Sequence, residues 1–572
     1  MSNLQRSIRH KRFKVKKGAG LKLHFDTSFG NSLEIQVKDC SLSGLAGTGT
    51  INGENTQWLN DGEIISAAKL TWEGHEISLG RLALRRFDPV APSEGEKQAE
   101  TVYRLAFSTV DIKIPLDGSL SKLLEIVFDH DTSTESLELS SDKFSLAHFV
   151  ENDFTNVDLF NRIREFAIFN RDWMKSDKYA YHQIRMKSKG PRVNLKRVRR
   201  SGRSDYIMMG SNDYLGLGAH PEVVEAAKNA MDIYGFGATG SPVTTGLTDL
   251  HLQLCEKIAK IHNKEAAVLF NSGYTANVGI ISSLCNVNDL VIADQLCHAS
   301  IQDGIRMAKG TSRFFKHNNV SSLRQLLEKE RGNFNGCLVI TEGVFSMDGD
   351  VAPVDQIYQV ARDFNCRVMV DQAHDFGVLG PNGLGVCDKY GLLKEVDIIM
   401  GTFSKIAGSI GGFATGSQDL IDWLRSFARS QLFTVSLPPS AVAAASKSLD
   451  IFLSDRSLLE NLRRNIKVFC DGLRNIGCVI DFKHESAVVP VVVGDEKVMG
   501  AMYQSLLEDG IWCTPVVYPA VSRSNCRFRF TVMANHTVAD LDYAVTCLEK
   551  AAIKSGFSFA KKQEDDQLKK VA

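Results

Sequence analysis

Lys405 lies among small and hydroxyl-bearing residues, a sequence context that suits a reactive amine. It ends the segment 401–405 (Gly-Thr-Phe-Ser-Lys), and more glycines follow it within a few residues. Asp371 follows the apolar run 368–370, which is typical of a buried strand. His298 lies earlier in the chain and adds an aromatic side chain. An amine, a carboxylate and an imidazole therefore occur in segments that a fold could bring together.

These residue types are the ones that pyridoxal phosphate (PLP) requires. A lysine amine forms a Schiff base with the PLP aldehyde, and a carboxylate paired with the protonated pyridine nitrogen keeps the ring an electron sink. Small hydroxyl residues, here Thr402 and Ser404, suit the phosphate group. The sequence therefore predicts a PLP site around Lys405 and Asp371.

The composition describes a long chain without a strong overall charge. Its 572 residues suggest two or three domains, and 67 basic residues balance 67 acidic ones, so nothing indicates attraction to nucleic acid. The 12 cysteines show no Cys-x-x-Cys pair and no metal-ligand spacing, which favours a reducing cytoplasmic location and predicts no metal site. The polar start of the chain lacks a signal-peptide core, and no run of about 20 apolar residues predicts a membrane span.

The N-terminal part carries the pattern of short strands. Alternating segments such as 21–25, 33–37 and 77–84 recur, and glycines, as at 47–49, indicate turns between them. Short strands at regular spacing predict a small all-β barrel or sandwich, which we assign to residues 1–115.

Residues 116–204 are predicted to connect this part to the rest of the chain. The apolar spacing of 160–173 predicts an amphipathic helix. The segment 187–203 is rich in lysine and arginine. It indicates either a solvated two-stranded ribbon, with turns at Pro191 and Gly202, or a docking site for a phosphate-bearing acyl carrier protein.

From residue 205 onward, apolar strands alternate with helices. The strand candidates are 266–270, 290–293, 338–341, 368–370 and 398–400. This alternation predicts βαβ units and a mostly parallel sheet, with functional residues just past the carboxyl ends of its strands. We assign 205–440 to this large domain. A smaller α+β domain, 441–556, follows a break at Pro438, and a charged tail, 557–572, ends the chain.

Six motifs occur in an order that resembles the α-oxoamine synthases of PLP fold type I. The motifs lie at 211–217, 270–277, 294–304, 342–350, 371–380 and 401–412. Known members include 8-amino-7-oxononanoate synthase, 2-amino-3-ketobutyrate CoA ligase and 5-aminolevulinate synthase. The segment 402–405 is most similar to the serine palmitoyltransferase branch. The resemblance covers roughly residues 160–555 and implies the same fold, with a mostly parallel large domain and a smaller α+β domain.

The resemblance implies catalytic roles for four residues. Lys405 would hold PLP as a Schiff base and later remove the α-proton of the substrate. Asp371 would pair with the pyridine nitrogen of PLP. His374 would hydrogen-bond the 3-oxygen of the ring and position the substrate carbonyl, and His298 would stack on the ring face.

Further residues would bind the phosphate and the ring by the same resemblance. Gly273 and Tyr274 would offer backbone N–H groups at a helix start, where anions bind readily. Thr402 and Ser404 would add hydroxyl groups to the phosphate site. Ser346 would contact the region of the ring 3-oxygen.

The family builds its active site between two subunits, so the resemblance implies a homodimer. Thr434 would reach the phosphate bound by the neighbouring subunit. Arg529 resembles the family's substrate-carboxylate arginine, whose planar fork suits bidentate pairing. Asn212 is a second candidate for the same carboxylate.

The chain departs from the family pattern at three places. Pro242 follows Ser241 where many members have arginine, Gln372 replaces a common acidic residue, and Asp375 stands where serine is frequent. These changes leave the PLP chemistry intact but leave the amino acid and the acyl donor open.

The N-terminal part resembles PilZ domains, which bind cyclic di-GMP. The segment 39–44 matches the second PilZ motif, Asp/Asn-x-Ser-x-x-Gly. The first motif, Arg-x-x-x-Arg, is reproduced only as Arg12 and Lys16, and lysine lacks the guanidinium fork. The residues that would line a nucleotide site are Arg9, Arg12, Asp39 and Ser41.

The implied reaction joins an α-amino acid to an acyl thioester, carried by CoA or acyl carrier protein, with loss of CO2. Its product is an α-amino ketone, as in lipid or biotin biosynthesis. One alternative is a PLP aminotransferase or aldol-type lyase of the same fold. Another is a cyclic-nucleotide sensor whose PLP domain serves as a scaffold. The presence of Lys405, Asp371 and Arg529 together favours an enzyme.

Overall fold

The computed structural model describes residues 205–559, the segments 159–175, 181–186 and 190–196, residue 149, and the backbone of seven strands between residues 13 and 111. The chain divides into two compact units, Met1–Ser176 and Asp177–Ala572. Among the helices in these described ranges, none is long and apolar enough to cross a membrane.

The N-terminal unit contains an antiparallel sheet that closes on itself. Its strands are β1 (Phe13–Lys14), β2 (Lys22–Asp26), β3 (Ser32–Ser41), β4 (Gly44–Thr50), β5 (Ile64–Trp72), β6 (His75–Pro89) and β7 (Val102–Asp111). The strand order is β1-β3-β2-β5-β6-β7-β4, and β4 also pairs with β3. Strands β2 to β7 therefore form a closed ring, and the pairings around it are antiparallel.

The turn predicted at 47–49 is wrong, because these residues lie inside β4. Gly47 pairs with Val37 on one side and with Leu105 on the other. Pairing along both edges supplies the backbone hydrogen bonds that a turn would otherwise provide, and so it overrides the weak strand preference of glycine.

A helix completes the described part of this unit. Helix α1 (Leu159–Lys175) confirms the amphipathic helix predicted for this segment. Its aromatic side chains cluster, with the rings of Phe169 and Trp173 5.7 Å apart. Phe149 joins them, with its ring 5.2 Å from that of Phe169.

The C-terminal unit opens with a ribbon, β8 (Ile184–Arg185), β9 (Arg192–Lys196) and β10 (Asp205–Met208). Pro191 lies in the connection between β8 and β9 as predicted, whereas Gly202 lies outside the described residues. Strand β10 also pairs in parallel with β19 (Ile511–Trp512), near the other end of the unit. His536 strengthens this connection, since its Nε2 lies 3.1 Å from the Met208 carbonyl.

A seven-stranded sheet forms the centre of this unit. Its strands are β11 (Ala266–Phe270), β12 (Asp289–Asp294), β13 (Thr311–Phe315), β14 (Gly336–Glu342), β15 (Arg367–Asp371), β16 (Ile398–Thr402) and β17 (Gly412–Gly416). The order is β11-β17-β16-β15-β14-β12-β13. Only β17 runs against its neighbours, so the prediction of a mostly parallel sheet is confirmed.

Helices cover both faces of this sheet, which is why its strands are continuous apolar runs. The helices are α2 (Pro221–Tyr234), α3 (Asp249–Ile261), α4 (Gly273–Leu284), α5 (Ala299–Met307), α6 (Val320–Glu330), α7 (Val354–Asp363), α8 (Val386–Lys389), α9 (Gln418–Phe427), α10 (Arg429–Leu432) and α11 (Pro439–Ser454). Val291 and Ile292 in β12 and Val368 in β15 are fully buried. The five predicted strands are thus confirmed.

The last part of the chain is α+β, as predicted. Its elements are α12 (Arg456–Asn475), β18 (Val488–Val492), α13 (Glu496–Glu508), β20 (Thr514–Val516), β21 (Arg527–Thr531) and α14 (Val538–Lys554). Strand β21 lies between β18 and β20 in an antiparallel sheet. The central position of β21 matters for function because this strand carries Arg529.

Candidate active site

Polar residues end four neighbouring strands of the large sheet. They are Asp294, Glu342, Asp371 and Thr402, the last residues of β12, β14, β15 and β16. Carboxyl ends of parallel strands meet at one edge of a sheet, where open α/β proteins bind ligands. The predicted placement of these residues is confirmed.

The carboxylate of Asp371 is held in a fixed orientation. Its Oδ2 accepts a 2.7 Å hydrogen bond from Asn277 Nδ2, and its Oδ1 accepts one of 2.9 Å from the Ala373 amide. Asn277, in α4, also donates to the hydroxyl of Ser300 at 2.9 Å. The side chain of Asp371 is buried. These two hydrogen bonds fix the direction of the Asp371 carboxylate.

Lys405 lies just beyond the end of β16, close to two acidic residues. Burial lowers the pKa of its amine, and the nearby Asp371 carboxylate opposes that effect. Burial, together with the nearby Asp371, raises the pKa of Glu342 well above its ordinary value. Glu342 is thus a neutral acid, and its Oε1 accepts a hydrogen bond from the His298 amide.

His298 begins α5 on the open side of the site. Its Nδ1 lies 2.7 Å from the Ser300 hydroxyl, and it also caps the helix by accepting from the Ser300 amide. Its ring meets that of Tyr274 edge to face, with centroids 6.4 Å apart. Partial burial lowers the pKa of His298, which favours its neutral imidazole.

His374 is fully enclosed and bonded to a tyrosine. The hydroxyl of Tyr214 lies 2.6 Å from His374 Nδ1. Burial, reinforced by the charges of Lys405 and Arg529, holds the pKa of His374 well below its ordinary value. Neutral His374 is suited to donate one hydrogen bond and to accept another.

Arg529 reaches this group from β21 and is itself braced. Its Nε donates to the Ser346 carbonyl at 2.6 Å, and its Nη2 donates to Asn212 Oδ1 at 3.2 Å. The arginine is 6% exposed, and no acidic side chain is bonded to it among the described residues. The structure therefore brings together the two residues predicted to bind a carboxylate.

The start of α4 forms a cradle next to Thr402. Ser272 caps the helix by accepting from the Thr275 amide at 3.1 Å. A Cβ on Gly273 would stand 3.1 Å from Cβ of Thr402, so a larger residue would require the two segments to move slightly apart. Thr402 is anchored by donating to the Gly411 carbonyl at 2.7 Å, and its hydroxyl lies 2.9 Å from that of Ser404. Free amide groups at a helix start favour an anion here.

Two predicted phosphate residues have partners of their own. The hydroxyl of Tyr274 donates to Asp303, which leaves its backbone amide for the role predicted. Thr434 accepts a 2.7 Å hydrogen bond from Asn271 Nδ2, just before the cradle at Gly273. Its predicted contact with a second subunit stays a prediction.

A histidine that the sequence analysis passed over ties two turns of the site together. His317 Nδ1 lies 3.0 Å from Asp294, and Nε2 lies 2.7 Å from Asp350. Burial lowers the pKa of His317, but the two carboxylates outweigh it and raise that pKa to about 10. A charged imidazole thus bridges the turn before His298 and the turn after Ser346.

The sequence analysis also assigned no role to Tyr214 or Asn277, although both lie in motifs quoted above, at 211–217 and 270–277. A tyrosine or an asparagine has no chemical signature until its partner is known. For Tyr214 that partner is 160 residues away, and for Asn277 it is 94 residues away.

Comparison with known proteins places this site in context. Residues 204–548 match the family described as aminotransferase class I and II. The 8-amino-7-oxononanoate synthase 1 of Bacillus velezensis is 39% identical over 389 residues, 68% of this chain and 97% of that protein. Serine palmitoyltransferase of Bacteriovorax stolpii is 39% identical over 345 residues, 60% of this chain and 82% of that protein. The solved structure of Sphingomonas wittichii serine palmitoyltransferase has a TM-score of 0.65 and 30% identity, covering 71% of this chain and 99% of that one.

Proposed function

Because the chain belongs to the aminotransferase class I and II family, and is similar to its α-oxoamine synthases, we propose that it is a PLP-dependent acyltransferase of that kind. It condenses an α-amino acid with an acyl thioester, releases CO2 and forms an α-amino ketone. The observation that carries this proposal is the buried fork of Arg529, held beside His374 and within electrostatic range of Lys405.

The residues of the site fit PLP. Asp371 would pair with its pyridine nitrogen, and the cradle at Gly273 and Thr402 would hold its phosphate. PLP supplies an electron sink for the electron pair left when a bond to the substrate α-carbon breaks. Asn277 contributes by fixing the direction of the Asp371 carboxylate.

Lys405 would move the proton at the α-carbon. A base works best when its pKa lies near the working pH, and burial lowers the pKa of this amine towards that range. Asp371 limits the decrease. The raised pKa of Glu342 favours its neutral form, so Glu342 adds no full negative charge next to Asp371.

Arg529 and His374 would position the amino acid. The guanidinium can offer two parallel N–H groups to a carboxylate, and its bonds to Ser346 and Asn212 preset its direction. His374 would donate from Nε2 to the carbonyl of the incoming thioester, since Tyr214 occupies Nδ1. Each polar group then acts on a different part of the substrates.

The proposal extends to the assembly. A homodimer with Thr434 completing the partner's phosphate site follows the family pattern, and the cysteine usage supports a cytoplasmic enzyme. CoA or an acyl carrier protein delivers the acyl group. The proposed domains are 1–115, 116–204, 205–440, 441–556 and 557–572.

Product analysis tests the activity. Purified protein with PLP is incubated with a panel of amino acids and acyl thioesters, and products are identified by mass spectrometry. We expect an α-amino ketone and CO2 only when both substrates are present, and none with Lys405→Ala. Formation of a 2-oxo acid from the amino acid alone would instead identify an aminotransferase.

For residues 1–115 we propose a PilZ-like barrel with weakened nucleotide binding. The closed ring of β2 to β7 supports the fold, and Asp39 and Ser41 lie on β3, where Asp39 pairs with Ala46. Arg9 and Arg12 lie outside the described residues. Calorimetry of the full chain with cyclic di-GMP should show no tight binding, because the arginine spacing departs from the PilZ motif. Tight binding that Asp39→Ala abolishes would reverse this view.

A further inference from the structure

Two buried side chains on either side of His374 each have a polar atom without a partner. Asp375 is fully buried, and its Oδ2 accepts a 2.6 Å hydrogen bond from the Val386 amide. Gln372 is also fully buried, and its Nε2 donates to the Leu384 carbonyl at 2.8 Å. Within the described part of the chain, Asp375 Oδ1 and Gln372 Oε1 find no hydrogen-bond partner.

Both side chains point towards the same glycine. A Cβ on Gly385 would lie 1.6 Å from Gln372 Nε2 and 2.8 Å from Asp375 Oδ2. Gly385 has a φ of 91°, a conformation that side-chain-bearing residues rarely adopt. The amide nitrogen of Gln372 and Oδ2 of Asp375 therefore approach a common point, and the other polar atom of each group is an oxygen without a partner.

An ionised Asp375 would be costly in this place. Burying a carboxylate without a paired cation is strongly unfavourable, and an unpaired buried acceptor adds to that cost. The charged or titratable groups that face Asp375 are Asp371, Lys405, Tyr214 and Cys387. Among these, only Lys405 is a cation, and Asp371 shares its attraction.

We propose that Asp375 is a protonated carboxylic acid whose hydroxyl donates to Gln372 Oε1, and that this neutral pair is a positioning device for His374. A proton on Asp375 Oδ1 would make that oxygen a donor and Gln372 Oε1 its acceptor, so both oxygens would have a partner. In agreement, burial raises the pKa of Asp375 to about 8. The pair secures the loop at 384–386 against the segment that carries His374.

The protonation is independent of the proposed function, whereas the positioning of His374 rests on it. The first test therefore uses the stability of the protein without PLP. Asp375→Asn keeps the shape, cannot ionise and still offers an N–H to Gln372. The free energy of unfolding of both proteins is measured from about pH 4 to pH 9.

The sign of the expected difference follows from linkage. Between about pH 4, where an unfolded aspartate titrates, and pH 8, folded wild type keeps a proton that the unfolded chain loses. Wild type therefore loses stability relative to Asp375→Asn as pH rises through this window, and the difference is constant above it. Parallel curves across the window would overturn the proposal.

Infrared difference spectroscopy with isotope-labelled aspartate observes the proton directly. We expect the carbonyl band of a protonated carboxylic acid at neutral pH, lost in Asp375→Asn and lost as pH rises past 8. Asp388→Asn is the matched control, because Asp388 is also buried but accepts N–H donors on both oxygens. A band that survives Asp375→Asn would refute the assignment.

A second variant guards against misfolding of the first. Gln372→Ala keeps Asp375 but removes its acceptor, so the band should persist and shift to higher frequency. An unshifted band would remove Gln372 from the proposal.

The positioning role is read from the pH profile of kcat/KM. Wild type should lose activity above about pH 8, and this decline should be absent in Asp375→Asn. Asp375→Ala should lower kcat more than Asp375→Asn does. If the infrared band is present but the pH profiles of wild type and Asp375→Asn are the same, the positioning role is rejected and the protonation of Asp375 stands. Absence of α-amino ketone formation at any pH would instead reject the proposed function.

Discussion

The hydroxyl of Tyr214 lies 2.6 Å from Nδ1 of His374, and both side chains are buried. Burial raises the pKa of Tyr214 to about 12, so the phenol keeps its proton. Burial also keeps His374 neutral by lowering its pKa. We expect this proton to be donated to Nδ1, which is closer than the other acceptor, Asn212 Oδ1 at 3.4 Å; the histidine proton is then on Nε2. One hydrogen bond thus decides which nitrogen of His374 can donate to a substrate.

Tyr214→Phe should lower kcat/KM by about fivefold. A neutral hydrogen bond contributes about 1 kcal/mol, and each 1.4 kcal/mol is a factor of ten. Steady-state kinetics measure the loss, and nitrogen NMR of His374 should show a changed tautomer ratio. Tyr543→Phe, which removes a tyrosine hydroxyl bonded to the Asp509 carbonyl, is the control. Equal losses in the two variants would contradict the role of Tyr214.

Lys405→Ala should abolish the covalent attachment of PLP. Borohydride reduction followed by peptide mass spectrometry should find PLP on the Lys405 peptide of wild type only. Lys257→Ala is the matched control, because that amine is bonded to Ser446 and Asp450 away from the site. If reduction still attaches PLP to the Lys405→Ala protein, the assignment of Lys405 is wrong.

Asp371→Asn should weaken PLP binding and eliminate turnover, because a neutral amide cannot hold the pyridine nitrogen protonated. Dialysis against buffer followed by spectrophotometry measures PLP retention. Asn277→Ala should give a smaller loss of the same kind, since Asn277 only orients the carboxylate. Turnover at the wild-type rate in Asp371→Asn would exclude its pairing with PLP.

Arg529→Lys should raise the dissociation constant of the amino acid about tenfold or more. A hydrogen bond to a charged group contributes about 1.5–3 kcal/mol, and lysine cannot form the planar fork. Spectral titration of the PLP-loaded protein gives the constant. Arg527→Lys should have a smaller effect, because Arg527 is paired with Asp348. An unchanged constant would remove Arg529 from the substrate site.

His317→Gln should destabilise the protein by about 2 kcal/mol at neutral pH, the scale of one hydrogen bond to a charged group at a partly exposed site. Its folded pKa of about 10 exceeds the unfolded value of about 6.5. The contribution is complete below pH 6.5 and is lost as pH rises through 10. Chemical denaturation of wild type and variant should therefore converge above that pH. A constant difference would show that folding does not raise the pKa of His317.

The sheet could be predicted because its strands are buried on both faces and so appear as unbroken apolar runs, as in β12 and β15. The strand-end position of Asp371 followed from that pattern. The bonds of Arg529 could not be predicted, because Ser346 is 183 residues away and Asn212 is 317 residues away. Glycine at 47–49 was misleading because its pairing on both edges depends on strands far along the chain.

The pairing of β10 with β19 has a consequence for biosynthesis. The carbonyl of Met208 contacts His536, which is translated 328 residues later. The segment that follows β10 supplies Asn212 and Tyr214, yet their partner Arg529 is translated 317 residues after Asn212. A nascent chain would therefore contain Lys405 and Asp371 before it contained Arg529, the residue proposed to bind the amino acid. Binding of the amino acid thus becomes possible only after Arg529 is made. A product that terminated between Lys405 and Arg529 would carry the reactive amine without the residue that selects the substrate.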